Sequence, residues 1–350
     1  MPSSLTLRSP CCDVCEREDN LLRCAGCQVV SYCGRDHQTL AWPAHKGRCS
    51  AVRKARIRTD REEQKLRAQQ GGDAWTWPSP FVHGVGRFWG IVETRPYMRA
   101  RFGLVDLMIQ EFGLPGEHRA AVELALDHLL DMTRLCRTDN MGLRDMIPAL
   151  YIRLGRDQEA YDFLKWHATT GQRGDYDWGN MDLPFLDVKN ADALEPTKDL
   201  WSRRFAALGA TSAVALIKLR ILFDLQAIQI ATVTLQYRMP QEIINIVRSE
   251  LVGSIVEARP EILRADTIEL ARLIRTAATQ VEQMYEYIND TNPHFWHQLL
   301  DNPDAATEPP PDAYTSGSAD QACLMLRYSY SAWAETPRAI EYIRKLHRDF

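Results

Sequence analysis

The sequence lacks any hydrophobic run long enough to cross a bilayer. Its most apolar stretch lies between Phe205 and Tyr237, where charged residues limit the uncharged runs to thirteen residues. A membrane-spanning helix needs about eighteen or more. The first ten residues are polar and serine-rich and contain no apolar segment of the secretory type. We therefore expect no membrane association and a cytoplasmic or nuclear location.

Cysteine is scarce outside the first fifty residues. Of the nine cysteines, only Cys136 and Cys323 lie elsewhere, and we expect both to be buried thiols. The cytoplasm and the nucleus are reducing compartments, and there a dense group of thiols is more typical of metal binding than of disulfides. The N-terminal cysteines therefore indicate a metal site.

Excess positive charge is also absent. The net charge is −4, which argues against general nucleic-acid binding. Residues 1–70 nevertheless carry thirteen Lys and Arg against eight Asp and Glu, a balance of +5, and the remainder has a balance of −9. The difference in sign indicates separate modules.

Motifs that signal common catalytic sites are missing. The sequence contains no P-loop, no Gly-x-Gly-x-x-Gly and no Gly-x-Ser-x-Gly. His294 and His297 form a pair separated by two residues, but no further ligands lie nearby, so a packing role is favoured. We expect a protein without enzymatic activity of its own.

Eight metal-ligating residues follow a regular order near the N-terminus. They form two Cys-x2-Cys pairs followed by Cys-x3-His and His-x3-Cys: Cys12, Cys15, Cys24, Cys27, Cys33, His37, His45 and Cys49. A closed structural site takes four ligands, so eight ligands predict two Zn²⁺ ions with no open position for catalysis. Cys11 could replace Cys12 at an x3 spacing, or it is a spare thiol.

This ligand order resembles the MYND-type zinc finger. The resemblance includes Ser31-Tyr32-Cys33 and the run from His37 to Cys49, which contains Gln38, Leu40, Trp42 and Pro43. It departs from the family at His37, which is usually cysteine, and at Ala41, which is usually acidic. The family's interleaved pairing implies one ion on Cys12, Cys15, Cys33 and His37, and a second on Cys24, Cys27, His45 and Cys49.

The resemblance also implies a function in protein interaction. MYND fingers bind proteins, several of them through short proline-containing peptides, and the positions that match the peptide surface are Gln38, Trp42 and the strand 28–32. An alternative for Trp42 is packing, together with Tyr32 and Leu40, in the small apolar centre of the finger. We predict a finger over residues 11–49 with protein or peptide partners.

The next segment, residues 50–72, is rich in helix-forming residues, and we predict that it is a charged and exposed arm, which could be helical. Up to residue 70 it has seven basic and three acidic side chains and no wide apolar stripe. Arg53–Arg58 could be a nuclear address or a phosphate contact, although a solvated face is favoured. Gly71 and Gly72 end the arm.

From about residue 75 to residue 350 helical periodicity predicts an α-helical domain. Helices are expected over 97–112, 118–135, 141–154 and 157–169, then 199–208, 210–235, 240–257, 265–289 and 321–347, with a break at Pro337. Asn140 is placed to cap the third of these. Residues 171–199 predict a long acidic loop, and the proline-rich residues 301–320 a mobile one.

The first four helices suggest an internal repeat. At an offset of 42, Val105 matches Ile147 and Gly113 matches Gly155. Tyr151, Leu154, Gly155 and Ala160 also resemble a tetratricopeptide motif, and the whole arrangement resembles fungal proteins with an N-terminal MYND finger and a helical body. The sequence thus predicts a mainly α fold, a cross-braced two-zinc finger followed by a tetratricopeptide-like domain.

We infer a zinc-dependent adaptor, whose finger binds a peptide and whose helical body holds a second partner, in transcriptional or ubiquitin-linked regulation. The alternative is a diverged lysine methyltransferase, because MYND fingers accompany such domains. Its cofactor site would resemble an Asn-His-Ser motif, and no Asn in this sequence precedes a His.

Overall fold

The structure is a computed structural model that describes residues 5–69, 79–202, 207–235, 240–311 and 313–349. Within them almost all regular structure is helical. The two strands, β1 (Leu22–Arg23) and β2 (Ser31–Tyr32), form an antiparallel pair in the N-terminal segment. The mainly α fold predicted from the sequence is therefore confirmed.

Fifteen α-helices follow in the described residues. They are α1 (Arg35–Ala68), α2 (Pro80–His83), α3 (Arg95–Phe112), α4 (Arg119–Leu135), α5 (Ile147–Arg153), α6 (Asp157–Ala168), α7 (Lys198–Trp201), α8 (Leu208–Thr234), α9 (Gln241–Ser249), α10 (Ser254–Glu257), α11 (Pro260–Leu263), α12 (Thr267–Thr291), α13 (His294–Asp301), α14 (Ala319–Glu335) and α15 (Ala339–Asp349). No helix among the described residues has both the length and the apolar character needed to cross a membrane.

The chain divides into two compact units. The first comprises residues 1–143 and 177–185, and the second residues 144–176 and 186–350. The segment predicted as one helical body from residue 75 onward is thus shared between two units. The first helices of that body belong with the finger.

The first unit corrects the prediction of an exposed arm at residues 50–72. Up to Ala68 this stretch is the second half of α1, and Val52, Thr59 and Leu66 on it are buried. The helix packs along α3, whose Leu104, Met108 and Phe112 contribute to the same core. The predicted boundary at Gly71 and Gly72, with Trp75 and Trp77 beyond it, lies outside the described residues.

Part of the predicted acidic loop also belongs to the first unit. The Arg137 guanidinium donates hydrogen bonds to the carbonyl oxygens of Asn180, Met181 and Leu183 at 3.0–3.4 Å. Its charge also lies 5.0 Å from the ring centroid of Phe185. One arginine therefore holds residues 180–183 through their backbone and Phe185 through its ring.

In the second unit α8 is buried along most of its length and packs on α12. Its polar side chains satisfy backbone groups of neighbouring segments. The Lys218 amine donates to the carbonyl oxygens of Ala193 and Glu195, and the Asp224 carboxylate accepts from the amides of Val252 and Gly253. The latter contact holds a loop at 250–253, so the single helix predicted over 240–257 is wrong and the chain forms α9 and α10.

Other helix boundaries differ in detail. The predicted cap at Asn140 is wrong, because α5 begins only at Ile147 and has no side-chain cap. The Asp139 carboxylate instead accepts a hydrogen bond from the Leu143 amide at 2.7 Å, at the start of a 3₁₀ turn over Leu143–Asp145. The predicted break near Pro337 is confirmed between α14 and α15. The predicted loop 301–320 contains a 3₁₀ turn at Pro303–Ala306 and the start of α14, and its mobility stays a prediction.

Candidate metal centre

The eight predicted ligands come together in two groups of four. One group is Cys12, Cys15, Cys33 and His37, and the other is Cys24, Cys27, His45 and Cys49. In each group the four donor atoms lie within 4.8 Å of one another. This is the interleaved pairing expected of a MYND finger. Cys11 is in neither group.

Local structure explains how distant parts of the sequence supply each group. The first pair of each group lies in a turn, at residues 12–15 and 24–27, around the short β1–β2 hairpin. The second pair of each group involves α1: His37 lies in its first turn, next to Cys33 just before the helix, and His45 and Cys49 are one turn apart farther along. A single helix therefore contributes to both groups.

Distances in the first group suit a tetrahedral ion. The Cys15 and Cys33 sulfurs are 3.6 Å apart, and His37 Nδ1 lies 3.4 Å from Cys12 Sγ and 3.1 Å from Cys33 Sγ. Sulfur atoms about 2.3 Å from a tetrahedral zinc would be about 3.8 Å apart. The imidazole therefore occupies a ligand position in place of the usual thiolate.

The second group has similar dimensions but is more deeply buried. Cys24 Sγ lies 3.7 Å from Cys49 Sγ and 3.4 Å from His45 Nε2, and Cys27 Sγ lies 3.7 Å from the same nitrogen. All four residues are buried, whereas in the first group only Cys12 is buried and Cys15 is exposed. The two sites thus differ in their access to solvent.

The electrostatics of the thiols fit a bound cation. Burial opposes ionisation of Cys12, but hydrogen bonds from the backbone amides of Cys33, Val14 and Cys15 outweigh it and lower the pKa to about 5. Burial, followed by the neighbouring Cys24 thiol, raises the pKa of Cys49 to about 12. Thiolates this close cannot all ionise unless a divalent cation compensates them.

Sequence reasoning missed the glycine that allows the second group to close. A Cβ atom at Gly26 would lie 2.5 Å from Cys49 Sγ, closer than van der Waals contact allows. Gly26 lies in the Cys24–Cys27 turn, and its amide also hydrogen-bonds to the Cys24 sulfur. Glycine between the two cysteines of such a pair is a signal that the sequence contained.

The finger's apolar centre also differs from the prediction. Tyr32 is buried, but the side chains of Leu40 and Trp42 are 68% and 41% exposed. The core around the ligands consists instead of Val29, Val30, Tyr32 and Val52, together with residues of α3 and α4. Gln38 is partly exposed, but residues 29–32 are buried and do not form an accessible strand.

Contacts from α3, α4 and their connection brace the metal centre. The Arg48 guanidinium donates to both carboxylate oxygens of Glu117 at 2.7–2.9 Å and lies 4.6 Å from the Phe112 ring centroid. The same ring lies 5.7 Å from the imidazole of His45. The residue following Glu117, His118, forms a backbone bridge with Arg8, before the first ligand. These supporting residues could not be identified from the ligand spacing.

The remaining candidates have structural surroundings. Phe295 and Trp296, between His294 and His297, are fully buried, and the His297 imidazole lies 3.0 Å from Asp301. Cys136 is buried, and Cys323 is only partly so. Within the described ranges, no further group of Cys, His, Asp and Glu has metal-binding geometry.

The arrangement is that of a closed structural zinc module with two sites, since protein atoms supply four ligands to each. Comparison with known families agrees: the MYND finger family model matches residues 12–49. This segment is a MYND-type zinc finger, with two cysteine and histidine clusters that can bind two zinc ions, and a helical body follows it. It provides the chain with a zinc-dependent protein-interaction module.

Two curated relatives resemble the chain over about the same length. The Rho GTPase-activating protein gacZ of Dictyostelium discoideum is 40% identical over 53 residues, which are 15% of this chain and 5% of that protein. The histone-lysine N-methyltransferase ASHR1 of Arabidopsis thaliana is 41% identical over 55 residues, 16% of this chain and 11% of that protein. The chain thus matches only a small part of each relative. No solved structure matches the chain.

Proposed function

We propose that the finger binds a short peptide, with proline in or near the contact, through Gln38 and Trp42. The observation that carries this proposal is the exposure of the Trp42 indole on α1, 41% of its surface. Gln38 lies one turn earlier on the same side of the helix. Large aromatic side chains held on a rigid element are frequent anchors for partners.

The rigidity of this surface supports the proposal. The Trp42 ring lies 6.1 Å from the ring of His45, which is a ligand of the second cluster. Metal binding therefore holds α1 in the position that presents the indole, and zinc-dependent binding follows from this arrangement. The family resemblance of residues 12–49 supports peptides as the class of ligand.

A comparison of peptide binding by variants of the full chain tests the proposal. We expect Trp42→Ala to weaken capture of proline-containing peptides by about tenfold or more while two zinc ions stay bound. Leu40→Ala is the matched control, because Leu40 is also exposed and apolar but lies on the opposite side of α1. Equal losses for both variants, or loss of zinc from Trp42→Ala, would contradict a specific role for Trp42.

We further propose that the helical body binds a second partner and that the chain has no catalytic activity. Exposed apolar side chains near the end of α8 and on α9 and α12 support a binding role: Ile230, Val233, Ile246 and Ile268. The two relatives are named for different activities, and each resembles this chain over only 53 or 55 residues, which favours interaction as the common function. A role in transcriptional or ubiquitin-linked regulation is part of this proposal.

The alternative is a diverged methyltransferase, which the name of the Arabidopsis relative brings into consideration. Its similarity covers only 55 residues, 16% of this chain. Titration of the full chain with S-adenosylmethionine in a calorimeter separates the two functions. We expect no heat of binding, and saturable binding at one site per chain would favour the enzyme.

A further inference from the structure

One side of α1 carries a row of cations that begins beside Trp42. Four residues follow Trp42 at intervals of four or seven: Lys46, Arg53, Ile57 and Arg61. This spacing places them on the same side of the helix as Trp42. At about 1.5 Å per residue the row is about 29 Å long. Each of these side chains is exposed, and those of Lys54 and Arg58 flank the row. We name Lys46, Arg53, Lys54, Arg58 and Arg61 the basic face.

The five cations of the basic face outnumber the one carboxylate, that of the exposed Asp60, that lies on the same side of α1 between Trp42 and Arg61. None of these five cations forms an ion pair within the described part of the chain, whereas Lys65 and Arg67 near the end of α1 pair with Glu62 and Glu63. Like charges one helical turn apart repel each other, as Lys54 and Arg58 do. An anionic partner would relieve this repulsion.

The basic face is held on a fixed support. The opposite side of α1 is buried through Val52, Thr59 and Leu66, and the metal ligands hold its N-terminal half. A straight row of charges on a rigid helix can recognise a complementary row with little loss of side-chain and backbone entropy.

We propose that the partner bound at Trp42 is a peptide with an acidic segment next to its apolar anchor, and that the basic face binds this segment. This inference rests on the proposed function and adds the charge of the ligand. Trp42 and Ile57 place apolar contacts within the row, which suits a peptide that contains both apolar and acidic side chains.

Charge favours a peptide over a nucleic acid. The rest of the chain beyond residue 70 has a balance of −9, which repels a long polyanion. A short acidic peptide feels mainly the charges within the screening length, about 8–10 Å at physiological salt.

The test uses two fluorescent synthetic peptides with the same proline-leucine anchor, one followed by a run of glutamates and the other by glutamines. We expect the full chain to bind the glutamate peptide about tenfold more tightly at low salt, a preference that high salt removes. Arg53→Glu with Arg61→Glu should abolish the preference and leave binding of the glutamine peptide unchanged.

The matched control is Arg275→Glu with Lys345→Glu. Arg275 on α12 and Lys345 on α15 are exposed and lack ion pairs in the described residues, and the change in net charge is the same. We expect this variant to keep the preference, and thermal unfolding of both double variants should show that the fold is intact.

The outcomes separate the inference from the proposed function. Equal binding of both peptides that depends on Trp42 would overturn the acidic segment and leave the peptide site intact. A preference for glutamate that Trp42→Ala does not weaken would support the basic face and contradict the anchor. Binding of neither peptide would overturn both. Tighter binding of a labelled DNA duplex than of the glutamate peptide would overturn the inference in favour of nucleic acid.

Discussion

At the scale of residues, the two clusters differ mainly in their contact with solvent. The second is buried on all four ligands, whereas Cys15 in the first is exposed and Cys33 and His37 are partly so. A chelator must reach the ion or its ligands to remove it. The first site should therefore exchange its metal more readily.

We predict two phases of zinc release when the full chain is mixed with a chelator whose absorbance changes on binding zinc. The first site should lose its ion in the faster phase. Cys15→Ser should remove the fast phase and keep the slow one. A single phase in the unmodified chain, or loss of the slow phase from Cys15→Ser, would contradict the difference in access.

Gly26 allows a second prediction at this scale. Gly26→Ala should weaken binding of the second zinc ion and destabilise the finger, because the added Cβ would meet Cys49 Sγ. Gly47→Ala is the control: Gly47 lies inside α1 with nothing within 4 Å of an added Cβ, and it should stabilise the helix by about 0.5–1 kcal/mol. Zinc affinity and thermal unfolding measure both effects, and equal affinities would refute the contact.

Donor chemistry explains why the ligands could be predicted from the sequence. Four short pairs with fixed spacing specify which residues can meet, and residues 12–49 contain all of them. The roles of Leu40 and Trp42 could not be obtained in this way. The exposure of Leu40 and Trp42 depends on which helices cover the finger. The helices α3 and α4 pack on a different side of the finger through Phe112 and Ala121, so Leu40 and Trp42 are left exposed.

At the scale of elements, α1 is the main difference between expectation and structure. Residues 50–68 carry so many charged side chains that the sequence predicts an exposed arm rather than a packed helix. Four of the five buried positions of α1 are nevertheless spaced by seven: His45, Val52, Thr59 and Leu66. This spacing is typical of the narrow seam between two packed helices. The polar Thr59 obscured the pattern, and the partner α3 lies far along the chain.

Substitutions on the two sides of α1 test its packing. Leu66→Ala should destabilise the first unit by about 2–5 kcal/mol, since Leu66 is 2% exposed. Ile57→Ala, on the exposed side, should change stability by less than about 0.5 kcal/mol. Urea unfolding gives both values, and similar small effects would show that this half of α1 is not packed.

At the scale of the whole molecule, the division into two units changes the expected consequence of metal loss. The finger shares its core with α3 and α4 in the first unit. The second unit has its own core, built largely on α8 and α12. The consequence of metal loss should follow these units rather than the boundary at residue 75.

Hydrogen exchange of the full chain with and without a chelator measures that consequence. Removal of zinc should increase exchange in α1, α3 and α4 and leave α8 and α12 protected. Increased exchange limited to residues 11–49 would show that the finger is independent of these helices. Loss of protection in α8 as well would show that both units depend on the metal.

The sequence predicted the helical class and most of the long helices, because their apolar periodicity is local. The distribution of helices between units was not predictable, since it depends on contacts between distant segments, such as Arg137 with residues 180–183. The tetratricopeptide-like repeat stays a prediction, and the paired helices α3 and α5 differ in length, with 18 and 7 residues.

The central claim is that eight sulfur and nitrogen donors enclose two zinc ions. Elemental analysis of the purified full chain, with Cys12→Ser and Cys24→Ser measured beside it, tests this most directly. We predict two zinc ions in the unmodified chain. We predict one in the Cys12→Ser variant, because Cys12 belongs to the first cluster and the buried second cluster keeps its ion. A metal-free chain, or cysteines found paired in disulfides, would contradict the account.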